Sequence, residues 1–229
     1  MIPGVIALAS QLVRERADLA QRELAMAAEL ERAELRLLQL QLQPHFLFNA
    51  LHAVSALMAT DVAAAGAMLA ALDELLRASL EQLDVQELPL RDELALLGKY
   101  VDFQRARYRD RLVVRTDVAK DTMDAHVPTL LLQPLVENAI QHTVERTSRQ
   151  GTVQVSAARR GDELHVGVRD DGPGFGATGH RPVGGVGLAN TRRRLEQLHG
   201  ARHRLELLDV NGTGALVRIV IPFRTAAAA

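Results

Sequence analysis

Between Leu8 and Met58 the chain carries a single strong helix breaker, Pro44, in a stretch dominated by Ala, Leu, Glu, Gln and Arg. These residues lose little on entering a helix, so the segment predicts one long helix or two abutting ones. Steps of four and three mark a seam of fourteen positions from Leu12 to Met58, and eleven of them are apolar. The exceptions are Arg16, Glu23 and Pro44. A seam with a period of 3.5 is that of a coiled coil or bundle. At 1.5 Å per residue a single rod would reach about 75 Å, too long for a lone helix to hold without a partner chain.

A second periodic run, Val62, Leu69, Leu72, Leu76, Leu80 and Leu83, follows a break at Thr60 and Asp61, with Asp61 as N-cap. This is a helical hairpin, and two copies would close a four-helix bundle. Leu88 to about Arg109 predicts another helix, Leu112–Val118 a strand, and the segment after Pro128 a helix to about Val144. Thr152–Ala158 and Glu163–Asp170 predict a hairpin turning at Gly161 and Asp162. A glycine-dense loop spans Asp171–Gly187, Leu188–His199 is helical, and Arg204–Leu208 pairs with Ala215–Ile221 through the Asn-Gly-Thr-Gly turn. The chain is therefore helical first and mixed α and β afterwards, with the change near residues 86–110.

The 229 residues hold 27 Lys plus Arg against 28 Asp plus Glu, a formal net charge of -1, so no global field favours nucleic acid. With no cysteine, disulfides, thiolate metal sites and cysteine nucleophiles are excluded, which fits a reducing compartment. The expected location is the cytoplasm. Met1–Ala9 is about half the roughly 20 apolar residues a membrane span requires. Arg14 and Arg16 follow it, as at an ordinary helix start or the cytoplasmic end of a membrane helix.

Four groups of residues carry chemistry. In the rod, Gln43-Pro44-His45-Phe46-Leu47-Phe48-Asn49 places His45 one step off the seam, with Asn49 and His52 on the same face. Pro44 removes a helical hydrogen bond and loosens the turn before His45, or marks a helix boundary. Farther on, Glu137-Asn138-Ala139-Ile140-Gln141-His142 puts Asn138 and His142 on one helix face, an amide oxygen suited to magnesium beside an imidazole suited to phosphate. Asp170-Asp171-Gly172-Pro173-Gly174 leaves a strand end, where a carboxylate can accept from an amino group on a ring that the glycines let in. Gly184-Gly185-Val186-Gly187-Leu188-Ala189-Asn190 runs into a helix and offers backbone N–H groups to an anion. No Lys-Ser or Lys-Thr follows these glycines and no βαβ unit frames them, so they form neither a P-loop nor a dinucleotide-binding fingerprint.

The last three groups, in this order, resemble the GHKL ATPase superfamily of histidine kinases, gyrase, MutL and heat-shock chaperones over about residues 112–222. With the Gln-Pro-His-Phe-Leu-Phe-Asn segment, the chain from about residue 36 is similar to LytS/AlgZ-type sensor histidine kinases. The resemblance implies a helical coiled coil and dimeric four-helix-bundle hairpin followed by a GHKL (Bergerat) α/β sandwich. Its expected parts are a signalling helix at 1–40, a phosphotransfer hairpin at 41–87, a linker helix at 88–111 and an ATP-binding domain at 112–229. It implies that His45 attacks the γ-phosphate of ATP, Asn138 holds Mg2+, and Asp170 reads adenine beside Gly172 and Gly174. Gly185, Gly187, Leu188 and Asn190 would line the triphosphate, with His142 near the phosphates.

That group places a Phe, here Phe46, where many histidine kinases carry a carboxylate after the phosphoacceptor, so the general base is open and Glu137 is a base or an orienter. Asn49 would position a water for dephosphorylation, Phe175–Val183 would form a mobile lid, and Arg192 and Arg193 would add positive charge near the phosphates or stand as solvated helix positions. The expected partners are a second copy of the chain and the receiver domain of a response regulator, with no nucleic acid, and with a membrane only through a sensor region preceding this segment. A GHKL serine kinase or hydrolytic ATPase, and a nucleotide-binding pseudokinase scaffold, are the alternatives that the motifs leave open.

Overall fold

The computed structural model describes residues 44–82, 85–145, 147, 149–174, 186–210 and 214–225, together with Arg16 and Met26. The helix expected over 1–40 lies outside these apart from Arg16 and Met26, as do Gly184, Gly185 and the lid expected at 175–183. The chain divides into two compact units, Met1–Asp73 and Glu74–Ala229. The division falls within a helix, upstream of the change of composition.

In the first unit, helix α1 spans Pro44–Met58 and helix α2 begins at Val62 and continues to Leu80. The break between them is closed by the N–H groups of Thr60 and Asp61, which donate to the Leu57 carbonyl at 3.0 and 2.7 Å. Asp61 caps α2 as its sequence position predicts, its carboxylate accepting from the Ala64 N–H at 3.0 Å. Ala50, Leu51 and Val54 of α1 and Ala65, Met68, Leu69 and Leu72 of α2 are buried, whereas Val62, expected on the apolar run, is exposed. Met26 corrects the single straight rod: its Cε lies 3.0 Å from where a Cβ on Gly66 would stand. In one helix running unbroken to Met58, Met26 would be about 40 Å up the axis from the level of Gly66.

The second unit is a five-stranded sheet with helices on one face. Its elements are β1 (Glu87–Pro89), α3 (Leu90–Tyr108), β2 (Leu112–Val118), β3 (His126–Pro128), α4 (Leu132–Ile140), β4 (Gly151–Arg160), β5 (Glu163–Asp170), α5 (Val186–His199), β6 (Arg204–Asp209) and β7 (Ala215–Pro222). The sheet order is β2-β4-β5-β7-β6, with β2 and β4 parallel and the remaining pairs antiparallel. The register aligns Val155, Val168 and Val217 in one row and Ala157, Val166 and Ile219 in the next. Both rows are buried. Alternation along β5 thus turns Leu164, Val166 and Val168 inward, and the next inward position is Asp170.

Two expectations change here. The helix expected as a linker over 88–111 is α3, and it is an integral layer of the sandwich, with Leu90, Leu96, Leu97, Tyr100 and Phe103 at most 2% exposed. The segments flanking it, β1 and β3, pair as a small antiparallel sheet in which Leu88 meets Val127. At three residues each, with a proline in both, they carry too little periodicity to stand out in the sequence.

Glu93 explains why α3 cannot be a spacer. It is wholly buried, and its two carboxylate oxygens accept from the N–H groups of Leu130 at 2.9 Å and Leu132 at 2.8 Å. Helix α4 has no side-chain cap of its own at Leu131, so a carboxylate from α3 satisfies its first turn. Leu130 holds a φ of 57°, a left-handed conformation that costs a non-glycine residue about 1–2 kcal/mol. The same turn is tied elsewhere, since Arg194 of α5 donates to the Thr129 carbonyl and the Thr129 hydroxyl donates to that of Val85.

Burial pushes the Glu93 carboxyl from 4.5 up to about 7, against the pull of backbone N–H groups at Leu130–Leu132 and of Arg194. A group whose pKa rises on folding contributes most below its unfolded value and loses that contribution as pH rises through the folded value. Urea unfolding of the wild type and Glu93→Gln at pH 4.5 and pH 8 should therefore show the wild type's relative stability falling with pH. A stability difference that is the same at both pH values would contradict this.

Candidate nucleotide-binding site

Helix α4 is almost entirely core. From Leu131 to Ile140 only Pro134 and Asn138 escape burial, and the open stripe continues through Gln141 and His142. Spacing by four on a helix creates this stripe, and it is the only face of α4 a ligand can reach. The helix then widens into a π turn over Gln141–Glu145, a feature that recurs at functional sites. Arg111, reaching from beyond α3, donates to the carbonyls of Val144 at 2.6 Å and Thr147 at 2.7 Å and so holds the segment leaving this turn.

Asp170 arrives from the sheet. Its Oδ1 accepts from the Gly172 N–H at 2.9 Å, and the residue is 6% exposed. Burial pushes its carboxyl above the usual range, while the N–H groups of Gly172 and Ala215, the nearby His142 and the Thr143 hydroxyl pull it down. Asp171 faces elsewhere and accepts from the Thr152 N–H at 2.9 Å, while Arg149 donates to its carbonyl. The strand alternation therefore separates two adjacent aspartates, one turned into the site and one tying the loop to β4.

Glycines allow the backbone to close around Asp170. A Cβ on Gly172 would stand 2.8 Å from Asp170 Oδ1 and 3.2 Å from both the His142 carbonyl and Thr143 Oγ1. Gly174 adopts a φ of 77°, and Gly214, with a φ of 107°, brings the start of β7 so near β5 that a Cβ there would lie 2.2 Å from the Asp170 carbonyl. Only glycine tolerates such approaches, which pack the backbone closely around the Asp170 carboxylate.

The sequence candidates sort by element. Asn138, His142, Asp170, Gly172 and Gly174 belong to α4, the π turn and the end of β5. Glu137, 8% exposed, accepts at Oε1 from Gln141 Nε2 at 3.4 Å, and it adds to the effect of burial, which pushes the Tyr100 hydroxyl of α3 well above its usual range. Gly187 opens the first turn of α5, where its carbonyl accepts from the Thr191 hydroxyl at 3.0 Å. Leu188 is buried, and Asn190, Arg192 and Arg193 are exposed. Gly185 lies outside the described residues. His45 is the second residue of α1, and Asn49, four positions on, is half-buried and engaged in polar contacts of its own. Sequence analysis missed Thr143, which follows the Asn138–His142 motif directly and is fully buried beside Asp170, and Glu93, one of three acidic residues on an otherwise ordinary helix.

Comparison with known proteins identifies what this arrangement is. Residues 123–225 match the family of histidine kinase-, DNA gyrase B- and HSP90-like ATPases, so the second unit carries an ATP-binding domain of that class. Residues 33–112 match the histidine kinase family, and with both modules in order the chain belongs to the histidine kinases, in their LytS-like group.

Among curated relatives, the sensor histidine kinase YpdA of Escherichia coli is 33% identical over 185 residues, which is 78% of this chain and 33% of that protein. Sensor protein LytS of Oceanobacillus iheyensis is 30% identical over 207 residues, 85% of this chain and 35% of that protein. The sensor histidine kinase YesM of Bacillus subtilis is 31% identical over 201 residues, 85% of this chain and 34% of that protein. The chain thus spans about a third of the length of the relatives it matches.

Gly172→Ala should test the cradle. Its added Cβ must displace the Asp170 carboxylate or the turn at His142, so ATP affinity should fall roughly tenfold or more, the scale of a misplaced buried polar contact. Circular dichroism should remain that of the wild type. Unchanged affinity, measured by isothermal titration, would show that binding does not depend on the placement of Asp170 by this turn.

Proposed function

We propose that this chain is the kinase core of a two-component sensor, which phosphorylates its own His45 from MgATP and passes the phosphoryl group to an aspartate of a response regulator. The observation that carries this is the convergence of the one open stripe of α4, through Asn138 and His142, with the inward Asp170 and the Gly172 cradle. Family membership and the proline–histidine start of α1 support His45 as the acceptor.

In this reading the adenine 6-amino group donates to Asp170. The phosphates run toward His142 and the N-terminal turn of α5, whose backbone N–H groups favour anions. The Asn138 amide oxygen suits Mg2+, which keeps few protein ligands and takes most of its coordination from phosphate and water. Among the described residues no cluster of three acidic or histidine side chains offers an alternative metal site. Bound there, Mg2+ would neutralise charge on the phosphate oxygens. The unprotonated Nε2 of His45 forms the N–P bond as the bond from the γ-phosphorus to the ADP oxygen breaks. Such a transfer depends on positioning and charge neutralisation more than on covalent help from the protein.

Glu137, buried and bonded to Gln141, acts as an orienter of α4 and not as the base. Asn49, one turn after His45, positions the water that removes phosphate from a bound regulator. The chain works as a homodimer, which the exposed Phe48 of α1 and Val62 of α2, 61% and 42% exposed, support by offering apolar surface to a second copy.

Two variants separate binding from chemistry. With γ-labelled ATP, His45→Gln should abolish acid-labile, base-stable label while leaving MgATP affinity within about threefold, because it alters nothing in the nucleotide domain. Asn138→Ala should lower Mg-dependent binding and label together. Acid-labile label persisting on His45→Gln would refute the acceptor, with His52 next to examine, and acid-stable label on the wild type would indicate a hydroxyl acceptor instead.

A further inference from the structure

The π turn at the end of α4 is held from another corner of the sandwich. Between α3 and β2 the chain turns through Arg109–Arg111, and Arg109 takes a φ of 51°, which a residue with a side chain rarely adopts. Strain of this kind persists only where the surroundings determine it, and it collects where placement matters more than stability. Two ties run from this corner to the chain between the π turn and β4. Arg111 Nη2 donates to the carbonyls of Val144 at 2.6 Å and Thr147 at 2.7 Å, and Gln150 Nε2 donates to the Asp110 carbonyl at 2.6 Å. The last carbonyls of a helix have no partners within it, and a cation there also meets the negative end of the dipole. Arg111 thus caps the π turn over Gln141–Glu145, a form seldom longer than one turn. The same turn is one wall of the site. The His142 carbonyl lies 3.2 Å from where a Cβ on Gly172 would stand, and Gly172 donates its N–H to Asp170 Oδ1 at 2.9 Å. On its other side, Thr143 and Val144 pack against Gly151 at the start of β4.

We propose that Arg111 is a positioning residue of the ATP site: by holding the end of the π turn it fixes the wall against which the Gly172 turn places the Asp170 carboxylate, and it acts through protein contacts alone. This rests on the ATP site proposed above. The path is short. Arg111 fixes the Val144 carbonyl, Val144 follows His142 by two residues, and the His142 carbonyl limits how far Gly172 and Asp170 can shift. Arg149, farther along the same connection, donates to the Asp171 carbonyl, so the stretch anchored by Arg111 is also tied to the aspartate pair. Arg111 itself is exposed, so its removal opens no cavity in the core. Both of its bonds come from one nitrogen, so the corner requires a cationic nitrogen with two protons at that point and makes no use of the planar fork of a guanidinium. A lysine ammonium carries three donors on a flexible stem, whereas a methionine of similar reach carries none.

The test uses the full chain at a temperature where circular dichroism shows every variant folded, and compares MgATP with adenosine by competition against a fluorescent nucleotide. Arg111→Met should weaken MgATP about tenfold, the scale of one net charge-assisted hydrogen bond. It should weaken adenosine by the same factor, because the Asp170 wall moves and no phosphate contact is lost. Arg111→Lys should bind both ligands within about threefold of the wild type, since its ammonium can serve the two carbonyls. In autophosphorylation Arg111→Met should raise KM for ATP and change the rate at saturating ATP by less than about threefold, the signature of weakened ground-state binding. A loss confined to MgATP would mean that Arg111 meets the phosphates directly, and wild-type affinity in folded Arg111→Met would mean that the corner serves stability alone. Either result overturns the assignment and leaves the ATP site standing. A wild type that binds neither ligand would overturn the site itself and this role with it.

Discussion

The nucleotide domain depends on one carboxylate held on the wrong side of a strand for a charged group. Alternation along β5 places Asp170 in the inward row after Leu164, Val166 and Val168, where burial disfavours its charge. The surrounding structure answers that cost locally. Gly172 folds back to donate, Ala215 donates from the neighbouring strand, and His142 contributes charge from the π turn. Each answer demands close approach, which is why Gly172 and Gly214 have no room for a Cβ. A desolvated acceptor at the rim of a core is also the chemistry needed to select an amino group from water.

The helix layer is organised around a second buried carboxylate. Glu93 supplies the N-terminal turn of α4 with the acceptors it lacks and holds Leu130 in a left-handed conformation. Because the adjoining Thr129 is also tied to Val85 and to Arg194, one short turn joins the segment after α2, the helix α3 and the helix α5 that follows the glycine-rich loop. A change in any of these bears on the helix that presents Asn138 and His142. The sandwich thus has a mechanical reason to include α3, whose apolar positions alone would also suit a spacer between domains.

Legibility followed the length scale of the interactions. The strands Glu163–Asp170 and Ala215–Pro222, the hairpin at Gly161, the cap at Asp61 and the order of the three nucleotide motifs are written in local periodicity and turn chemistry, and they stand in the structure close to where the sequence puts them. Glu93 and Thr143 were not legible. A glutamate on a helix is ordinarily solvated, and a threonine after a histidine has no pattern of its own. Their roles arise from partners 37 residues away for Glu93 and Leu130, and from two glycines on other strands and loops for Thr143.

By itself the sequence determined that the chain is helical first and mixed α and β afterwards, because helix propensity, strand alternation and glycine placement are local properties that survive without knowledge of the fold. It also determined which residues face together along one element, as with Asn138 and His142. The tertiary structure alone decided which of two neighbouring aspartates enters the site and that Glu137 is buried. It also set a fully buried threonine beside Asp170. These outcomes depend on burial and on the approach of distant backbone, and both come into existence only when the sheet and its helices close on one another.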